Sequence, residues 1–283
     1  MSSMLEPLPE QTRTLGGAAA RQRSSWTGRR TRRFAIGAIL PFAVLIAWQI
    51  LGHYETISVL LFPQPTSIAR AFVRLAASGK LYEHFRISAL RWVIGFLLGG
   101  TLGWILGLLV GLFRSAEKMV NPTMQMLRLI PQLAITPIFV LWFGFGETSK
   151  ILLIATGAFF PLYLNTFMGI RHIDRQLFDV AKVLAFSRTK QLVRLAIPAA
   201  LPSILMGLRL SLGVAWLSLV VAELIGPTSG IGYLMVDART FTNTPVVFVG
   251  ILIFAFVGLL TDSLVRLLER RFLHWRGSYR HNQ

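Results

Sequence analysis

Beyond residue 33, long apolar runs alternate with short polar ones. Six runs approach the roughly 20 residues a helix needs to cross a bilayer: 34–52, 90–113, 124–143, 151–170, 204–225 and 246–263. They predict an all-α polytopic membrane protein with about six transmembrane helices, a transmembrane domain over 34–263 and a C-terminal tail over 264–283. The third run is the least regular. Pro131 and Pro137 lie inside it and each removes a backbone donor, so this span is expected to be kinked or interrupted. In the second run Gly95, Gly99, Gly103, Gly107 and Gly111 recur every four residues and line one helix face. Small residues at that spacing let another helix approach closely, either within the subunit or, alternatively, at a subunit contact or sliding surface.

Two connections are too patterned to be simple loops. Residues 53–89 place Ile68, Phe72, Val73, Leu75 and Ala76 near helical spacing, which predicts short amphipathic helices on the outer interface; a re-entrant segment is the alternative. Residues 171–203 place Leu177, Val180, Ala181 and Leu184 on one stripe, with Asp179 and Lys182 off it. Ser187 can cap a second short helix, which Pro198 must end or follow. The segment therefore reads as two short helices joined near Phe186–Ser187, with an apolar face that protein or lipid must cover.

Charge orients these elements. Twenty-one Lys and Arg fall in residues 1–33, 114–130, 171–203 and the tail from 264, against six in the intervening loops. That asymmetry puts both termini and the 171–203 segment on the cytoplasmic side. Residues 1–33 are polar and Arg-rich, which predicts a disordered cytoplasmic tail rather than a cleaved signal peptide. The net charge of +17 is read as span-flanking charge facing anionic lipid, with no nucleic-acid partner expected. The chain has no cysteine, which excludes disulfides, Cys-ligated zinc and iron–sulfur sites.

Candidate chemistry inside the spans is sparse. Arg209, Gly213, Trp216, Val220 and Glu223 share one face of the fifth span. Ionisable residues there are costly and face protein or water. Arg209 either lines an anion path or snorkels to the inner interface; Glu223 either joins that path or pairs with a neighbour near the outer end. Gln132, Thr136, Asn165 and Thr166 are further path candidates, while Ser211 and Ser218 lie on another face. Five histidines fall at or beyond span ends without metal spacing, no nucleophile–base pair emerges, and no metal site is expected.

Across 171–203 the chain resembles the permeases of ATP-binding-cassette (ABC) importers. Their loop pattern is Glu-Ala-Ala, three residues, Gly, nine residues, Ile-x-Leu-Pro. Those places are held here by Asp179, Val180, Ala181, Ala185, Leu195, Ile197 and Pro198, with the spacing kept and literal matches at Ala181 and Pro198. "ALPSILMGLRLSLGVAWLSLVVAEL", "GIGYLMVDARTF" and "LIPQLAITPIFVLWFGFGETSKI" are similar to the branch serving nitrate, taurine and aliphatic sulfonates, sulfonate permeases most of all. The resemblance covers roughly 55–275 and leaves out the N-terminal tail.

This resemblance implies the type I ABC importer permease fold in the bacterial inner membrane. It implies a homodimer of permeases, two cytoplasmic ATPase subunits that bind the ATP and Mg, and an external substrate-binding protein. The 171–203 loop would then insert a coupling helix into an ATPase groove, with Asp179 engaging a basic or amide group and the small Ala185 allowing close docking. A lipid-lying amphipathic loop is the alternative. The implied cargo is a small organic anion, an aliphatic sulfonate before nitrate, taurine or a thiamine-precursor pyrimidine. Consistent with an external energy source, no G-x-x-x-x-G-K-[ST] phosphate loop occurs, so no cofactor is expected on this chain. A self-powered secondary transporter is the different-class alternative; such proteins often carry inverted repeats, and none is evident here.

Overall fold

The structure, a computed structural model, describes residues 39–226 and 228–272, apart from the side chain of Arg175. The expected 1–33 tail lies outside the described residues. Every regular element among those described is helical. The chain divides after Ser67 into two compact units.

In the first unit, the first apolar run forms α1 (Ile39–His53), shorter than a full span within the described residues. Gln64 Nε2 donates to the Gly52 carbonyl at 3.0 Å, and Gln49 Oε1 accepts from the Thr66 amide at 3.2 Å. These bonds tie the returning chain to the end of α1.

The 53–89 connection resolves into α2 (Pro65–Ala77) and the first turns of α3 (Lys80–Leu112). The short amphipathic helix is as expected, but its anticipated second member is not separate. Residues 80–89 contain no Gly or Pro, and the helix of the second span simply starts there, after Gly79 at φ 75°.

Within the second unit, four helices are long and apolar enough to cross a membrane: α3, α6 (Glu147–Arg171), the continuous helix Arg188–Leu224, and α11 (Thr244–Phe272). The third expected span is the bent pair α4 (Arg114–Leu127) and α5 (Gln132–Phe143), whose axes differ by 96°. The break falls just before Pro131, which cannot donate to Leu127 and steers Ile130 away from helical geometry. Pro122 and Pro137 sit inside α4 and α5.

The 171–203 segment forms α7 (Arg175–Val183) and α8 (Arg188–Gln191), joined at the expected place. The second short helix differs from expectation, because Pro198 does not end it. A π turn over Leu192–Ala196 leads directly into α9 (Ile197–Leu224), with the Ile197 amide bonded to the Leu192 carbonyl. Widening the helix by one residue accommodates a proline that lacks a donor and whose ring crowds the carbonyl four residues back. After α9, α10 (Ile231–Thr240) precedes α11, and α11 continues helically past the expected span end to Phe272.

The core lies where α3, α6, α9 and α11 meet. Ile154, Ala158, Ala215, Trp216, Leu219 and Val257 form one buried cluster, with Trp92, Phe96 and Phe254 packed around it. Phe159, Tyr163 and Phe167 stack along α6 at 5.9 and 6.2 Å, beside Val110. The glycine stripe of α3 faces α6. A Cβ at Gly95 would come within 2.6 Å of Ile154, and one at Gly107 within 2.7 Å of the Tyr163 carbonyl. The stripe is therefore packing inside the subunit. Leu97, Leu98, Leu102 and Leu109 on α3, and Phe256, Leu259, Leu260 and Leu264 on α11, stay exposed, an apolar exterior suited to lipid.

Candidate functional site

The α7–α8 joint is built from local chemistry. Asp174 caps α7 by accepting from the Gln176 amide at 3.0 Å, and Ser187 Oγ caps α8 by accepting from the Lys190 amide at 3.3 Å. At the other end of α7 the Phe186 amide bonds to the Ala181 carbonyl and the Ala185 amide to the Lys182 carbonyl, both at 2.9 Å. These two bonds make a Schellman closure, whose middle residue must be left-handed. Ala185 is that residue, at φ 50°. The glycine that the resembled pattern has at this place would adopt such a conformation without strain.

Around the joint, Ala181 is buried at 3% exposure and anchors α7. Leu177, Val180, Val183 and Leu184 are exposed, so the segment carries an uncovered apolar face. Asp179 is exposed and paired with Lys182 at 2.9 Å. Leu195 lies in the π turn, half-buried, while Ile197 and Pro198 open α9.

The path candidates do not form one site: Thr166 is buried on α6 with its Oγ1 unpartnered among the described residues, and the others are engaged separately. Arg209 Nε donates to Asp262 Oδ1 on α11 at 2.5 Å, and Arg266 Nε reaches Asp262 Oδ2 at 2.8 Å. Trp216 is buried, with its ring edge-on to Trp92 and Phe254, and Nε1 donates to the Phe254 carbonyl at 2.9 Å. Gln132 joins three helices: its Nε2 donates to the Leu153 carbonyl at 2.7 Å and its Oε1 accepts from Ser218 at 2.8 Å. Thr136 and Asn165 bond back to their own helices, at the carbonyls of Gln132 and Pro161.

Glu223 is fully buried within a polar cluster at the opposite end of the bundle from α7. Its carboxylate accepts from Ser88 Oγ at 2.7 and 2.9 Å, from Arg91 Nη1 at 2.8 Å and from the Gly232 amide at 2.9 Å. Arg91 also donates to Glu147 and to Ser229, and Lys150 Nζ donates to Thr228 Oγ1 at 3.1 Å. Four elements, α3, α6, α9 and α10, are joined by this network. Among the described residues, no group of three or more His, Asp or Glu is placed to hold a metal ion.

Sequence reasoning missed Arg91, Ser88, Glu147, Lys150 and Asp262. Arg91 and Asp262 carried a usable signal, since each is an ionisable residue inside an apolar run and so calls for a partner. The α7 segment thus presents an uncovered apolar face, while the charged side chains of the polar cluster are paired within the subunit.

Comparison with known proteins points the same way. The chain is 53% identical over 252 residues to SsuC of Bacillus subtilis, a permease protein named for aliphatic sulfonates transport, covering 89% of this chain and 91% of that one. It is 45% identical over 240 residues to the SsuC of Escherichia coli, covering 85% and 91%. It is 32% identical over 261 residues to the taurine transport system permease protein TauC of Escherichia coli, covering 90% and 95%. The model of one family matches residues 99–274, more than half of the chain, and this chain therefore belongs to the binding-protein-dependent transport system inner membrane components.

Proposed function

We infer that this chain is the membrane-spanning permease subunit of an ATP-driven importer for small organic anions, aliphatic sulfonates in particular. Two copies pair in the inner membrane with their termini on the cytoplasmic side. Two cytoplasmic ATPase subunits bind and hydrolyse the ATP with Mg, and an external binding protein delivers the cargo. The α7–α8 joint, with Leu177, Val180, Val183 and Leu184 exposed beside a left-handed Ala185, is the observation that carries the coupling role. The cargo rests on the names of the two SsuC relatives, which are more similar to this chain than the taurine permease is.

Transport then proceeds by alternating access. Closure of the ATPases draws the two α7–α8 joints together, and the continuous helix Arg188–Leu224 carries that movement toward the cargo side. The experiment is reconstitution in liposomes with the ATPase and binding-protein subunits of its transporter. ATP-dependent uptake of ethanesulfonate is expected, with taurine and nitrate taken up more slowly. Uptake driven by an ion gradient without the ATPase overturns the mechanism, and a preference for taurine or nitrate overturns the cargo.

A further inference from the structure

Glu147 occupies a place suited to a small anion. Arg91 is held from one side, where Nη1 donates to Glu223 at 2.8 Å and to the Ser229 carbonyl at 2.7 Å. Its other edge therefore faces Glu147, with Nε to Oε2 at 2.6 Å and Nη2 to Oε1 at 2.5 Å. Ser229 Oγ accepts from the same Nη2 at 2.6 Å. Lys150 Nζ lies 3.8 Å from Glu147 Oε1.

Burial separates the members of this cluster. The side chains of Arg91 and Lys150 are 3% and 2% exposed, and Glu223 is fully buried, whereas Glu147 is 55% exposed. Glu147 is the first residue of α6, so its side chain can turn toward water without moving a helix. The charges of the four balance while Glu147 is in place. Once it leaves, two buried cations face one buried carboxylate, and a single positive charge remains uncompensated. In a poorly solvated site that charge favours uptake of one anion. A guanidinium edge binds two oxygens of an oxyanion side by side, a fit that a spherical ion such as chloride does not offer.

We propose that Arg91 and Lys150 form an oxyanion seat, occupied here by the Glu147 carboxylate and taken by a small monovalent sulfonate when Glu147 turns out to water. The choice of sulfonate rests on the proposed cargo; the seat itself rests on geometry and charge. Glu147 then acts as a built-in competitor that keeps the seat neutral while no cargo is present.

The test is direct binding of ethanesulfonate to the full-length chain in lipid nanodiscs, without ATPase. Glu147→Ala is expected to bind at least tenfold more tightly than the wild type. Adding Lys150→Met to it should undo at least tenfold of that gain, and chloride should compete at least tenfold less well than ethanesulfonate. Glu147→Gln keeps the shape of the side chain and decides the matter if Glu147→Ala does not fold. No gain in a folded variant overturns the seat, as does a gain that chloride matches or that Lys150→Met leaves intact. Each of these results leaves the uptake experiment standing. Conversely, a reconstituted complex that ignores sulfonates refutes the cargo without touching an anion gain at Glu147.

Discussion

Gly99 of α3 lies against the main-chain carbonyl of Ala155 on α6, and any side chain at position 99 would be driven into that carbonyl. The neighbour is backbone and cannot rotate away, so the helices themselves must separate. Gly99→Leu is expected to cost about 3 kcal/mol, the upper part of the overpacking range. Gly213 is the contrast, since a Cβ there meets nothing within 4 Å. Gly213→Ala should be neutral or stabilise α9 by about 0.5–1 kcal/mol through reduced chain entropy. Thermal unfolding of the two variants in detergent separates the cases.

Ala185 bears a left-handed conformation that costs a non-glycine residue about 1–2 kcal/mol. Ala185→Gly should recover about 1 kcal/mol, equivalent to roughly fivefold slower local opening if the joint opens as a unit. Hydrogen exchange at the Ala185 and Phe186 amides, both bonded back into α7, reads this out. Ala185→Arg should instead abolish ATPase co-purification while leaving insertion unchanged. Asn243→Arg, in the turn between α10 and α11, serves as the control. Wild-type co-purification of Ala185→Arg would remove the joint from the coupling role.

Arg91 and Glu223 are both buried, so breaking the pair from one side strands a charge. Arg91→Met is expected to cost about 3–5 kcal/mol, whereas Arg91→Met with Glu223→Leu should cost less than Arg91→Met alone. Equal or greater loss in the double variant would show that Glu223 matters mainly through Ser88 and Gly232. Thermal unfolding of the two variants measures the difference.

Arg209 and Asp262 are each about one-third exposed on their side chains, so their pair is expected to add at most about 1 kcal/mol. Arg209→Gln, Asp262→Asn and their combination should lower sulfonate uptake to similar extents, because all three remove the same contact. A loss confined to Arg209→Gln would place that guanidinium on the cargo path itself.

Local features of this fold were legible because local chemistry decides them. The Ser187 cap, the joint near Phe186, the break at Pro131 and the glycine stripe all follow from residues a few positions apart. The polar network was not, since Arg91 and Glu223 are 132 positions apart and come together only when α3 and α9 pack. Glu223 was expected either to join an anion path or to pair near the outer span end, and no partner for it could be named from sequence. Residues 80–89 were read as connection because they are polar; with no Gly or Pro among them they extend α3 instead, most of their side chains remaining partly or fully exposed. Pro198 misled in the other direction, because a π turn lets the helix continue into a residue that usually stops one.

The continuous helix Arg188–Leu224 has 37 residues, which at 1.5 Å per residue makes a rod about 55 Å long. One end is the joint beside Ala185, and Glu223 sits next to the last residue at the other. A tilt of about 5° at the joint would move the far end by about 5 Å, more than a hydrogen bond can stretch and survive. Under the proposed coupling role, the joint is the handle of a lever, and the buried charges around Glu223 are what its far end would disturb.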